Sequence, residues 1–190
     1  MEIKTIEQQN WYVVYTYPNT EKRICNDLTR RQITSFLPIQ KVVRQWSDRK
    51  KQLEVPLFPS YVFVKIHSKD MWMVTMVDGV ARFVSFNGTP AIVKESEVDV
   101  IKKIISGARS IRNESNCLTE GDYVQIKNGP LTGLEGRGVC KQGNTRLYHN
   151  LTSINKMISV AIDADNLSKI TNHALITHSD IARQAQSTSF

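Results

Sequence analysis

The chain has 190 residues, of which 41% are hydrophobic and 23% charged, and a formal net charge of +7. That length holds one ordinary domain or two small ones, and the composition argues against wholesale disorder. No apolar run approaches the ~20 residues needed to cross a bilayer, and the polar first ten residues lack the apolar stretch of a secretion signal. The three cysteines, Cys25, Cys117 and Cys140, are far apart and form no CxxC pair. They are expected to be reduced thiols in a cytoplasmic, non-membrane protein, with neither a disulfide framework nor a zinc site. The positive balance favours a polyanionic neighbour, either nucleic acid or an acidic protein surface.

In chain order, residues 11–17 (WYVVYTY) are aromatic and β-branched and predict a buried strand. Pro18-Asn19 stops it, and Asn19 is a candidate cap for a helix over residues 20–31. Ile24 and Leu28, four apart, are expected to face the core, with Glu21, Lys22, Arg30 and Arg31 solvated. A broken extended stretch follows through Phe36, Leu37, Ile39, Val42 and Val43, where Pro38 argues against an uninterrupted central strand. The charged residues 44–51 read as a hairpin tip or loop. Residues 60–66 (SYVFVKI) are the clearest strand, and a short helix over residues 69–77 is expected to end at Asp78-Gly79. Residues 80–86 alternate as a half-buried strand and lead into an Asn87-Gly88 turn. Val98, Ile101, Ile104 and Ile105 mark an amphipathic helix that stops at Gly107.

The order β-α-β-β-α-β is the ferredoxin-like arrangement, with one extra helix here. It predicts an α+β first domain over residues 10–107, in which a four-stranded antiparallel sheet carries helices on one side. Residues 108–117 are polar, without apolar period, and read as a linker. Residues 118–170 change texture to short strands and glycine-bearing turns, as in a small β-barrel. Residues 171–190 are expected to form a flexible tail. Catalysis has little support: His67, His149, His173 and His178 are scattered, with no nucleophile or metal partner in any motif. Gly129, Gly133, Gly136 and Gly138 make no phosphate loop, because no G-K-[ST] follows. A non-enzymatic chain without cofactor or metal is therefore expected.

Two segments together resemble the NusG family of transcription elongation factors. One runs from Trp11-Tyr12-Val13-Val14 to the strand entry Phe58-Pro59-Ser60-Tyr61-Val62-Phe63-Val64, and is similar to that family's N-terminal (NGN) domain. The other runs from Gly121-Asp122-Tyr123-Val124 through Gly129-Pro130-Leu131-Thr132-Gly133, and is similar to the KOW motif that opens an SH3-like barrel. Within the family, residues 44–64 and 79–93 resemble the specialised paralogues RfaH and, more closely, the UpxY antiterminators. That resemblance implies a monomeric antitermination factor for long capsular or surface polysaccharide operons. It implies that Tyr15, Phe58, Pro59, Tyr61 and Phe63 grip the clamp helices of RNA polymerase. Arg23, Arg44, Arg49, Lys50 and Lys51 would meet upstream duplex or non-template DNA, mostly at phosphates. Ile154 would meet a ribosomal protein or a termination factor. Where RfaH-type paralogues carry a polar motif on the second helix, this sequence has Trp72-Met73-Val74. The competing reading is a KOW-type RNA-binding or ribosome-associated protein with no polymerase role.

Overall fold

A computed structural model describes residues 8–45, 49–108, 110–114, 122–141 and 144–170. The elements in chain order are β1 (Asn10–Thr16), α1 (Glu21–Arg30), β2 (Thr34–Phe36), β3 (Ile39–Gln45), β4 (Lys50–Pro56), β5 (Tyr61–Ile66), α2 (Met71–Thr75) and β6 (Val80–Phe83). There follow β7 (Ser85–Phe86), β8 (Thr89–Pro90), β9 (Ile92–Val93), α3 (Glu95–Gly107) and β10 (Ile111–Glu114). The last five strands are β11 (Asp122–Ile126), β12 (Glu135–Lys141), β13 (Asn144–Leu151), β14 (Lys156–Ala161) and β15 (Leu167–Lys169).

The first sheet runs β2-β5-β1-β6, with β9 also pairing β1. Its two central strands are apolar on both faces, and the structure uses both. Tyr12, Val14, Val62, Val64 and Ile66 pack against Ile24 and Leu28 of α1 and Val74 of α2. Trp11, Val13 and Phe63 turn the other way, towards Val98, Ile101 and Ile104 of α3. Helices on one side only, as expected from the sequence, is therefore incorrect. Side chains alternate across a strand, so a strand apolar at every position needs cover on both faces.

Local chemistry explains the boundaries. Asn19 is not the cap of α1; it holds a left-handed φ of 64° in the turn before the helix, and Thr20 is the capping residue. Asparagine tolerates that region better than most residues. Pro38 falls between β2 and β3 and separates the sheet strand from the ribbon strand. Asn87 and Gly88 both have positive φ, 50° and 79°, and join the β7–β8 hairpin.

The second sheet runs β10-β14-β13-β12-β11-β15. Gly129 and Gly133, at φ 93° and 82°, turn the chain between β11 and β12. Within the segment read as a linker, Ile111–Glu114 pairs antiparallel with β14 as an edge strand. One apolar cluster joins the two sheets: Phe63, Ile101 and Ile104 share it with Leu134, Leu147, Leu151, Ile154 and Ile158. Residues 171–190, read as a tail, lie outside the described residues.

Candidate functional site

The turn from Leu57 to Ser60 builds the aromatic end of the first sheet. Leu57 donates its N–H to the Pro38 carbonyl at 2.7 Å, and Tyr61 donates to the Phe58 carbonyl at 3.2 Å. Ser60 takes a left-handed φ of 65°, and its N–H is held at 2.8 Å by the carboxylate of Glu21. Glu21 is buried, against the expectation that it is solvated. A backbone donor buried beneath the sheet end needs an acceptor, and the first turn of α1 supplies it. Ser60 returns its carbonyl to the Thr16 N–H at 2.9 Å, which locks the turn to β1.

This frame sets Tyr15 directly opposite Tyr61 across β1 and β5. Their rings meet edge to face at 5.5 Å, a geometry aromatic pairs prefer. Tyr15 is 39% exposed, Tyr61 is half-buried and Pro59 is exposed. Phe58 and Phe63 are different: both are fully buried, with ring centroids 6.2 Å apart. They belong to the cluster that continues into the second sheet. The five residues assigned to one contact face thus divide into three reachable ones and two core ones.

The second sheet packs on this region through specific contacts. Lys156 lies over the Tyr61 ring at 5.2 Å. Glu97 of α3, itself buried, accepts from Thr152 Oγ1 at 3.2 Å and from the Ser153 N–H at 3.3 Å; the Ser153 hydroxyl donates to its other oxygen. That second oxygen also accepts from the Lys94 N–H at 3.3 Å, at the start of α3. Lys103 donates to the Thr132 carbonyl. Ile154, assigned to an outside partner, is buried inside the shared cluster. Apart from the Lys94–Glu97 bond within α3, none of these contacts carries a local sequence signature, because each joins residues far apart in the chain.

Towards the far end of the same sheet face, Trp11 donates its indole N–H to Glu95 at 2.9 Å, and Lys65 donates to the same oxygen at 2.8 Å. The Lys65 hydrogen bond, then that of Trp11, holds the Glu95 carboxyl below the usual carboxylate range.

The basic residues sit on a separate unit. β3 and β4 pair only with each other, as a two-stranded ribbon. Arg44 stands opposite Lys51 in the register, and Gln45 opposite Lys50. Arg49, Lys50 and Lys51 are exposed, while residues 46–48 of the tip lie outside the described residues. The Lys22–Glu54 pair at 3.4 Å ties the ribbon to α1. Arg23 is remote from this tip. It pairs with the Asp78 carboxylate at 2.7 Å, bonds the Asp78 carbonyl at 3.3 Å, and so braces the turn that ends α2. Trp72 on α2 and Met76 just past its end, four residues apart, are 60% and 64% exposed. No group of three or more His, Cys, Asp or Glu side chains able to hold a metal occurs among the described residues. No helix among them is long and apolar enough to cross a membrane.

Comparison with known proteins covers this same frame. The family model described as transcription termination factor nusG matches residues 9–102, the span that holds the aromatic turn and the ribbon. The "Transcription termination/antitermination protein NusG" of Rickettsia conorii is 29% identical over 179 residues, covering 87% of this chain and 92% of that protein. The protein of the same name from Rickettsia felis is 27% identical over 179 residues, with the same coverage. That of Streptococcus pyogenes serotype M3 is 29% identical over 150 residues, covering 72% of this chain and 83% of its own. Among solved structures, "Domain interaction in Thermotoga maritima NusG" has a TM-score of 0.51 at 22% identity, covering 86% of this chain and 98% of that one, which supports the mixed α/β fold. Family model, relatives and fold agree: the chain belongs to the NusG family, a family of transcription termination and antitermination factors and not of enzymes.

Proposed function

We propose that this protein is an antitermination and elongation factor that binds RNA polymerase across its cleft and keeps it processive on particular long operons. Its domains are read as an NGN domain over residues 10–107 and a KOW barrel over residues 118–170. The observation that carries this reading is the Tyr15–Tyr61 pair on its rigid turn, inside the span that matches the family. Two aromatic rings and Pro59 on a sheet end offer large apolar area at little entropic cost, as interface hot spots do. Tyr15, Pro59 and Tyr61 make first contact with the polymerase clamp helices. Phe58 and Phe63 support them from beneath, and meet the polymerase only after the barrel moves away. Trp72 and Met76 supply an apolar second contact where RfaH-type paralogues use polar residues.

The ribbon residues Arg44, Arg49, Lys50 and Lys51 lie along upstream or non-template DNA through phosphate contacts. Arg23 contributes little there, because its charge is already paired with Asp78. Ile154 becomes available to a ribosomal protein or termination factor when the barrel leaves α3. The UpxY-like residues 44–64 are the ground for assigning polysaccharide operons as targets.

The test is a pull-down of core RNA polymerase with the wild-type chain and with Tyr15→Ala/Tyr61→Ala. These residues are the right choice because Phe58→Ala would damage the core. The wild type is expected to retain polymerase, and the double variant, with unchanged circular dichroism and melting, is expected to lose it. A wild type that retains neither core polymerase nor an assembled elongation complex removes the reading.

A further inference from the structure

The β3–β4 ribbon leaves one strand edge open, and its hydrogen bonds show which groups face that edge. Leu57 donates its N–H to the Pro38 carbonyl at 2.7 Å, so Pro38 and Leu57 form a bonded pair. The register then runs unbroken from Ile39 opposite Pro56 to Gln45 opposite Lys50. Bonded and non-bonded pairs alternate along an antiparallel ladder. Ile39, Lys41 and Val43 therefore stand in non-bonded pairs and turn both backbone groups away from β4. Pro56, which has no N–H to give, sits opposite Ile39 as this phase requires. Among the described residues β3 has no strand on its other side. Three N–H and three C=O groups line that edge, at intervals of ~6.8 Å.

A groove of about 590 Å³ runs along the edge, lined by residues 39–43. Side chains alternate across a strand, so a groove that meets five consecutive residues meets the strand edge-on. Its opposite wall is Ile105 and Ala108, beside the end of α3, with Ser110 and Ile111 at the start of β10. Ser110 accepts from the Ala161 N–H at 3.1 Å, which turns its backbone towards β14. Ile111, next in that ladder, turns its own backbone groups the other way. The groove thus lies between two strand edges, each with polar backbone groups turned away from its own ladder.

Such an edge is a template for one more strand, and the side chains along it select which. Ile39, Lys41 and Val43 share one face of β3, and a paired strand sets its own residues directly opposite them on that face. Lys41 is exposed and Val43 is 67% exposed. Glu54, the carboxylate cross-strand from Lys41, is held by Lys22 at 3.4 Å. Among the described residues Lys41 itself makes no ion pair. The face reads apolar, cationic, apolar, and its complement is a strand reading apolar-x-acidic-x-apolar. A second copy of this chain fits poorly. Two β3 edges paired about their midpoints would set Lys41 against Lys41, and like charges directly opposite destabilise a sheet.

We propose that this groove is a docking site for an extended segment of a partner protein, which adds a strand to β3 and sets an acidic residue against Lys41 with apolar residues two positions to either side. Main-chain bonds to β3 supply affinity, and the face of Ile39, Lys41 and Val43 supplies specificity. The site uses none of Tyr15, Pro59 and Tyr61, so it is independent of polymerase binding.

The experiment is fluorescence anisotropy of the full chain, without polymerase, against a labelled, end-capped heptapeptide SVTETVS, whose symmetry makes strand direction immaterial. Its counterparts are SVTKTVS, and SVTETVS methylated on the backbone nitrogens of the glutamate and both valines. The wild type is expected to bind SVTETVS saturably and at least ~5-fold more tightly than SVTKTVS, the size of one opposite-charge pair exchanged for a like-charge pair. Lys41→Glu is expected to invert that preference, which loss of the fold cannot do. Methylation keeps every side chain but removes the donors to β3, and is expected to abolish binding. Four outcomes overturn the proposal. They are no saturable binding of SVTETVS, equal binding of its methylated form, an unchanged preference in Lys41→Glu, and a dimer of the chain in sedimentation that SVTETVS dissociates, which assigns the edge to a second copy.

Discussion

Replacing Glu97 by alanine isolates the hydrogen bonds that tie the second sheet to α3. The wild-type carboxylate accepts three hydrogen bonds from the turn Thr152-Ser153, in addition to the Lys94 N–H within its own helix. A hydrogen bond to a charged group contributes ~1.5–3 kcal/mol, but bonds sharing one carboxylate are far from additive. Glu97 is 8% exposed, near enough to solvent for water to re-satisfy part of what is lost. The net cost to the closed arrangement is therefore ~2–3 kcal/mol, a 30- to 150-fold shift towards separated domains at ~1.4 kcal/mol per tenfold. Glu97→Gln keeps an acceptor without the charge and is expected to cost ~1 kcal/mol. Energy transfer between dyes at Lys22→Cys and Lys127→Cys, both exposed positions, with the native cysteines changed to serine, measures the separation. Glu97→Ala should lower the transfer efficiency while each domain keeps its circular dichroism. Unchanged transfer in Glu97→Ala would refute the reasoning, since the closed arrangement would then rest on the apolar cluster alone.

Glu21→Ala removes the acceptor of the Ser60 N–H and leaves that buried donor unsatisfied, at a cost of ~2–4 kcal/mol; urea denaturation checks it, and a cost within ~0.5 kcal/mol contradicts the assigned role. Gly136→Ala puts a Cβ at 2.3 Å from the Tyr148 carbonyl oxygen, a backbone atom that cannot retreat cheaply, whereas Gly88→Ala meets nothing within 4 Å and faces only the cost of its left-handed φ. The first change is expected to cost at least ~3 kcal/mol and the second ~1–2 kcal/mol, read as a large and a small drop in melting temperature. Burial pushes the Cys25 thiol up, partly offset by a hydrogen bond with Ser35 and reinforced by the Glu21 carboxylate, whereas Cys140 is exposed. In a Cys117→Ser background at pH 8, Ellman's reagent should modify Cys140 at least ~10-fold faster than Cys25, because the thiolate is the nucleophile; equal rates would mean that the α1 face opens freely.

Local chemistry made the strand cores legible. β1 and β5 carry apolar runs, over residues 11–15 and 61–64, bounded by Pro18 and by Pro59-Ser60, and the Asn87-Gly88 and Asn128-Gly129-Pro130 turns announce themselves by residue type. What stayed hidden was non-local. Glu21 reads as a solvated residue in the first turn of an amphipathic helix, and only the Ser60 N–H, 39 residues away, explains its burial. The polar string Ile111–Glu114 has no strand-like alternation, yet β14 beside it is buried and has a free ladder edge to fill. The buried phenylalanines were the deepest omission. Phe58 and Phe63 are both assigned to the contact face by resemblance and both are core, because an apolar residue looks the same in sequence whether it waits for a partner or already has one inside the chain.

That intramolecular partner also limits how the proposed polymerase face can be exposed. α3 ends at Gly107 and β10 begins at Ile111, so residues 108–110 alone join the first domain to the second sheet. The four Cα–Cα steps from Gly107 to Ile111 reach at most ~14 Å when fully extended. While β10 stays paired with β14, the entry to the second sheet remains tethered within about that distance of Gly107, and the sheet can pivot but not depart. A Cβ at Gly107 would stand 2.8 Å from Pro130 Cβ, so even the pivot point is packed closely against the barrel's first turn. Uncovering Phe58 and Phe63 for a partner as large as a polymerase therefore requires two events: loss of the Glu97 contacts, and release of β10 from the edge of β14. The second event lengthens the tether by the four residues of the strand.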